Sequence, residues 1–591
     1  MSLKQKAMKI QQYFLSFTVL LGIFVGAQQK TFCNPINIDY GYTPFEAFSK
    51  QGKHRATADP VIVNFKNKLF LFSTNQEGYW YSDDMLDWKF VKRKFLRDNK
   101  YIHDLNAPAV WAMKDTLYVY GSTWEQDFPI WKSTNPTKDD WKIAVDTLKV
   151  GAWDPAFHYD EDKNKLYLYW GSSNEWPLLG TEVKVKNLQS EGFVKPIIKL
   201  KPEDHGWERF GEYNDNVFLQ PFVEGAWMTK HNGKYYMQYG APATEFSGYS
   251  DGVYVSKNPL EGFEYHNPFS YKPGGFARGA GHGATFEDNY KNWWHVSTIF
   301  ISTKNNFERR LGIWPAGFDK DDVMYTNTAY GDYPTYLPQY AQGKDFSKGL
   351  FAGWMLLNYN KPVQVSSTLG GYQPNLAVDE DIKTYWSAKT GNSGEWFQTD
   401  LGEVSTINAI QINYADQDVE FLGKTLGKMH QYKIYGSNDG KKWNVVVDKS
   451  KNTKDVPHDY VELEKPVKAR FLKMENLKMP TGKFALSGFR VFGKGAGERP
   501  KKVEGFVPLR ADPKKYGERR SIWMKWQQNQ DADGYVIYWG KSPDKLYGSI
   551  MVYGKNEYFF TGADRTDSYY FQIEASNSNG ISERTEIVKS E

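Results

Sequence analysis

Apolar and polar positions along the first 340 or so residues fall into a short pattern that returns five times. The stretches are VIVNFKNKLFLFST after Asp59-Pro60, AVWAMKDTLYVYGST after Ala107-Pro108, AFHYDEDKNKLYLYWGSS after Asp154-Pro155, AWMTKHNGKYYMQYGA after Glu224-Gly225 and ATFEDNYKNWWHVST after His282-Gly283. Each runs as a short apolar strand and turns at Lys66-Asn67, Lys114-Asp115, Lys163-Asn164, Asn232-Gly233 or Tyr290-Lys291. It returns as a strand of alternating apolar and aromatic residues, which predicts a hairpin. The starts recur at intervals of roughly 47 to 70 residues, as in repeat architectures. A second echo lies in YWYSDDMLDW, IWKSTNPTKDDW and VYVSKNPLEGFEY, where a strand ends at Ser82, Ser133 or Ser256 and an aromatic (Trp88, Trp141, Phe263) returns a few residues later. Five multi-strand antiparallel units with little helical periodicity predict an all-β fold, a five-bladed β-propeller.

In a propeller the innermost strands line a central channel, so equivalent positions on different blades converge at one mouth. Three of the five repeat starts carry an acid (Asp59, Asp154, Glu224) and a fourth carries His282. One Asp-Pro is a common turn initiator. Three carboxylates at one place in three repeats point to chemistry, because like charges forced together raise one another's proton affinity. Glycoside hydrolysis uses such a set: one carboxylic acid and one carboxylate on opposite sides of the scissile bond.

With ATADPVIV around Asp59, GAWDPAF around Asp154, FVEGAW around Glu224 and GAGHGATF around His282, the stretch from about 31 to 340 resembles family 43 of the glycoside hydrolases. The resemblance implies a five-bladed propeller and inversion at the anomeric centre. Asp59 would be the general base, Glu224 the general acid, and Asp154 the residue that orients Glu224 and tunes its pKa. It also implies that no cofactor is required. Calcium is the ion it suggests: His282 resembles a channel histidine that often binds one with water completing the shell, although calcium prefers oxygen. The two catalytic carboxyls are expected about 6.5 to 9.5 Å apart.

From about Trp354 to Gly493, NLAVDEDIKTYWSA, EWFQTDLGEVSTINAIQINY, QYKIYGSNDGKKWNVV, ARFLKMENLK and FALSGFRVFG alternate as strands of a β-sandwich. Together they resemble the discoidin or coagulation-factor type C fold, a jelly roll that includes family 32 carbohydrate-binding modules. Asp379 and Asp381 lie where such domains often hold a structural calcium, but Gly488 stands where many relatives carry Glu. Trp386 and Trp396 are expected in the core. The segment 341–353 reads as a linker, and 501–591, with Trp523, Trp526, GYVIYWG and SYYFQIEASNSNG, resembles a fibronectin type III domain. At the start, Lys4, Lys6 and Lys9 precede an apolar run from Tyr13 to Val25 and then Gly26-Ala27-Gln28. That pattern predicts a cleaved signal over 1–27, and a secreted or periplasmic protein with no membrane insertion after its removal.

The single cysteine, Cys33, excludes an internal disulfide. Formal charge is +4, and the three signal lysines account for three of those charges, leaving +1 and arguing against nucleic-acid partners. The partner expected instead is a carbohydrate polymer or oligosaccharide. Aromatic residues are 17% of the chain; much of that excess belongs to strand cores and the rest suits stacking on sugar faces, two uses that composition does not separate. The insert from Ser173 to Phe222 holds Trp176, Trp207, Phe210 and Tyr213 and either walls the channel into an exo-acting pocket or is an ordinary outer-strand pair with a long loop. Arg278 either binds sugar hydroxyls bidentately or neutralises the acids. The leading expectation is an inverting, exo-acting α-L-arabinofuranosidase on arabinogalactan or arabinan side chains. A β-D-galactofuranosidase, an exo-β-1,3-galactanase and a β-xylosidase stand as alternatives on the same scaffold, and a non-catalytic, lectin-like propeller as the alternative of another class.

Overall fold

The computed structural model describes residues 29–43, 53–74, 76–93, 105–122, 129–148, 150, 153–302, 304–305, 307–424, 427–511 and 519–590. The expected signal over 1–27 lies outside them. No helix among the described residues is long and apolar enough to cross a membrane.

The repeated hairpins form where the apolar alternation places them. The strands Val61–Phe65 and Lys68–Phe72 flank Lys66 and Asn67, whose φ values of 51° and 59° give the doubly left-handed turn that suits the twist of a two-residue hairpin. Asn232 and Gly233 repeat this between Glu224–His231 and Lys234–Ala241. The third strands end at Ser82, Ser133 and Ser256, and each of these hydroxyls accepts from the amide two residues on. This local bond competes with the ladder and stops the strand.

Three four-stranded antiparallel sheets result, spanning Val61–Lys92, Asn106–Val145 and Ala156–Ile198. Two further units, Glu224–Ser270 and Arg278–Thr326, are joined as one eight-stranded sheet by a single parallel bridge between Ser250 and Ala280. The first strands of all five units neighbour one another in sequence order, and the last returns to the first, closing a ring. The N-terminal residues reinforce the fifth ring unit, where the Asn34 side chain bonds both the carbonyl and the amide of Ile313.

Residues 355–494 form an eight-stranded sheet system built on two long strands, Trp396–Tyr414 and His458–Lys478. Trp386 is fully buried there, while Trp396 is half-exposed with Lys473 over its ring. Residues 507–589 pair a three-stranded with a five-stranded sheet. The cores do not stop at these borders. Tyr167, Trp207 and Tyr239 of the ring share one apolar cluster with Met524, Tyr535 and Trp539 of the last unit. Cys33, Tyr333, Phe492 and Tyr538 share another at the junction of all three parts.

Candidate active site

The starts of the inner strands are bent alike. Asp59, Ala107, Asp154, Gly225 and His282 all have left-handed backbones, with φ of 52°, 41°, 48°, 65° and 45°. Asp and His tolerate this region better than most side chains, which is one reason they recur here. The fourth repeat departs from the sequence alignment by one residue: its left-handed position is Gly225, so Glu224 is not the structural counterpart of Asp59 and Asp154. The shift has a steric cause, since a Cβ on Gly225 would stand 2.7 Å from Cγ of His282. Glycine lets the imidazole in beside the acid.

Hydroxyls hold these bends. The amide of Asp59 donates to Thr298 Oγ1 at 2.9 Å, that of Ala107 to Thr74 Oγ1 at 2.8 Å and that of Asp154 to Ser122 Oγ at 2.9 Å. In each case the hydroxyl comes from the end of the second strand of the neighbouring unit. Thr74 also donates its own proton to Asp59 Oδ2. These hydroxyls carry a sequence signal too: FST, YGST and VST mark them in three of the five repeats, and WGSS supplies Ser172, which donates to Glu224.

Asp59, Asp154, Glu224 and His282 converge. His282 Nδ1 lies 3.2 Å from Asp59 Oδ1 and 3.8 Å from Asp154 Oδ2. Ligand atoms of Asp154, Glu224 and His282 all lie within 4.8 Å of one another. Glu224 accepts from the Tyr249 hydroxyl at 2.6 Å through Oε1 and from Ser172 Oγ at 3.3 Å through Oε2. Burial pushes the Glu224 carboxyl above the usual carboxylate range; His282 pulls it down and Asp59 pushes it up. Burial likewise raises Asp154, to about 8, with His282 opposing and the charges of Glu224 and Asp59 adding to the rise. The two therefore titrate as a pair that keeps a proton at neutral pH. His282 is raised too: burial works against its charged form, but Asp59, Asp154 and Glu224 outweigh that cost. Beneath it, buried Asp251 accepts from the amide of Gly283 at 2.9 Å and faces His295 Nε2 at 3.0 Å.

Two carboxylates and one imidazole form the only group of metal-ligating side chains this close among the described residues. They do not fit a directly bound calcium ion, which takes six to eight oxygens, because the imidazole Nδ1 already faces Asp59. In residues 355–494, which follow the ring as the second unit of the chain, Asp379 accepts from Thr384 Oγ1 at 2.6 Å, and Asp381 is paired with Arg278 at 3.0 Å. Glu380 between them is held by Arg490. Gly488 is explained by packing: a Cβ there would meet, at 2.8 Å, the ring of Phe276, which lies in the connection leading into the strand Arg278–Glu287. Arg278 thus spans to the second unit by its pair with Asp381. Trp176 is 72% exposed beside Ser173, whose hydroxyl accepts from its amide.

Residues 53–324 match the family model described as glycosyl hydrolases family 43. The chain is a glycoside hydrolase. Residues 362–488 match the F5/8 type C domain. Among solved structures the hydrolase is similar to an endo-1,4-beta-xylanase from Bacteroides thetaiotaomicron, at 21% identity over 46% of this chain and 94% of that one, with a TM-score of 0.38. It is also similar to a GH43 protein from Bacillus licheniformis (14% identity, 78% and 98% covered, TM-score 0.40) and to an alpha-L-arabinanase from Cellvibrio cellulosa complexed with arabinohexaose (15% identity, 47% and 96% covered, TM-score 0.36). No curated protein matches the chain.

Proposed function

We propose that this hydrolase inverts the anomeric centre and removes terminal α-L-arabinofuranose from side chains of plant arabinogalactan or arabinan. On this reading the ring is a five-bladed propeller and the last unit a fibronectin type III domain, and the protein is exported by its N-terminal signal. The observation that carries the proposal is the meeting of Asp59, Asp154 and Glu224 around His282. Glu224 is buried with raised proton affinity, so it holds the proton that the leaving oxygen needs. Asp59 accepts from Thr74 and faces His282, which fixes the carboxylate that takes a proton from the attacking water. Asp154 beside Glu224 also has raised proton affinity, so the two acids together retain a proton at neutral pH next to the leaving oxygen.

The test is a panel of aryl furanosides and pyranosides with the first-formed anomer followed by proton NMR. Inversion with α-L-arabinofuranosides as the best substrates is expected; a first product with retained configuration, or no release from any glycoside, overturns the scheme. Asp59→Ala and Glu224→Ala should each abolish turnover of natural substrate. A good leaving group should restore the Glu224 variant in part but not the Asp59 variant, and equal rescue of both removes the role assignment.

A further inference from the structure

Between the third and fourth ring units runs the loop 199–223, which enters directly into Glu224. Its end belongs to the mouth of the site: Val223 and Ser173 exchange backbone bonds, and Ser172 next to them donates to Glu224. Most of the loop is held from outside the ring. The last unit takes the amide of Gly206 on Ala563 O at 3.0 Å and Arg209 Nη2 on Thr561 O at 2.8 Å; Thr561 Oγ1 donates back to Tyr213 O. His205 Nδ1 meets Asp564 Oδ1 at 2.9 Å. The second unit contributes Lys383, whose Nζ donates to Glu212 Oε1 at 3.0 Å and to Ser247 Oγ at 2.6 Å.

A loop clamped this way would ordinarily turn its apolar side chains inward. Here they face solvent: Tyr213 is 68%, Val217 58%, Phe218 90% and Leu219 56% exposed, and Phe222 is exposed as well. The turn that presents them is fixed, since Asn216 Oδ1 accepts from the amides of both Phe218 and Leu219. So dense an exposed apolar patch marks an interaction surface, and its rigidity lowers the ordering cost of binding. Its position selects the occupant. It continues the strand entrance that carries Glu224, and Trp176 stands across the Ser173–Val223 bridge from it.

We propose that Trp176 and the segment Tyr213–Phe222 form the platform on which the glycan chain on the leaving-group side of the scissile bond rests. The C–H faces of successive sugar rings stack on its aromatic and aliphatic side chains. The C-terminal units hold the platform in place through Thr561, Ala563, Asp564 and Lys383. This rests on the hydrolase reading above, because the leaving group is defined by the proton donor Glu224.

The test compares wild type with the double variant Phe218→Ala/Leu219→Ala on polymeric arabinogalactan or arabinan and on an aryl α-L-arabinofuranoside, whose leaving group is too small to reach the platform. The polymer-to-aryl ratio of kcat/KM is expected to fall by about tenfold or more. Phe193→Ala, an equally exposed side chain on the outer strand Ser190–Ile198, should leave both rates unchanged. An unchanged ratio in the double variant overturns the platform. So does a dimer in sedimentation velocity that dissociates on substitution, which would make the patch a contact between copies. Retardation in polysaccharide gels separates this proposal from the catalytic one. If no glycoside is cleaved but the polymer retards wild type and not the double variant, glycan binding by the patch stands, while the reaction assignment and with it the leaving-group side fall; equal retardation overturns the platform.

Discussion

Asp59, Asp154 and His282 occupy backbone that few side chains tolerate, and the same bend aims them at one another. A residue type chosen for conformation is therefore also placed for chemistry, and the electrostatic cost appears in their protonation. Tyr249 donates to Glu224 and so favours its ionised form. Tyr249→Phe should raise the proton affinity of Glu224. Because donation needs the protonated acid and fails as pH rises through its pKa, the alkaline limb of the pH–kcat profile should move up, by about half to one unit. Movement downward would contradict the hydrogen-bond assignment. Asp154 makes a second case. Its folded pKa of about 8 lies far above an ordinary carboxyl. The folded state therefore binds more protons than the unfolded one between about pH 4 and 8, and stability falls as pH rises through that window. Asp154→Asn removes this slope, and asparagine keeps the left-handed bend at φ 48°. The variant should be more stable than wild type at pH 8, on the order of 2 kcal/mol, with the gain fading towards pH 4. Chemical denaturation across pH measures it.

At the scale of elements, hydroxyls at strand ends stitch each unit to the next, and a glycine in one unit receives a ring from another. Phe276 packs on Gly488, and its carbonyl accepts from the amide of Ile382 at 3.1 Å, while Arg490 lies 4.3 Å above its ring. Gly488→Glu should therefore force Phe276 out and destabilise the protein by about 1–3 kcal/mol, read as a lowered Tm. Phe276→Ala in the same chain should recover part of the loss; a Gly488→Glu protein as stable as wild type would show that this packing contributes nothing. The glycine that leaves a calcium site doubtful in the sequence is the socket for a neighbouring unit.

Across the whole molecule the three parts meet at one buried joint. Arg490 forms a two-pronged pair with Glu380 and also donates to Gln411 and to the carbonyl of Asp332. Tyr553 of the last unit bonds Tyr333 and Glu380. Arg490→Ala leaves Glu380 buried without its partner, at a cost of about 3–5 kcal/mol. Calorimetry should show the variant melting earlier and in more than one step, against a single main transition for wild type; unchanged melting would mean that the units are stable separately.

Much of this was legible in the amino-acid order. Strand alternation, turn residues and the recurring Asp-Pro starts are local signals, set by backbone sterics and by which faces must be buried, and they predicted the hairpins, the serines that end the third strands and the acids that meet. The one-residue offset of Glu224 was not legible, because it depends on His282 needing room that only a glycine leaves. Nor were the partners of Arg278 and Asp381, which lie about a hundred residues apart and pair only because two units pack together. Sequence determined which acids and which histidine stand at the repeat starts and what each strand looks like, since those follow from side-chain type and neighbours along the chain. Tertiary structure alone decided where the acids share a proton, which loop borders them and why its apolar tip stays in water, because burial and charge act through space on groups that the chain keeps far apart.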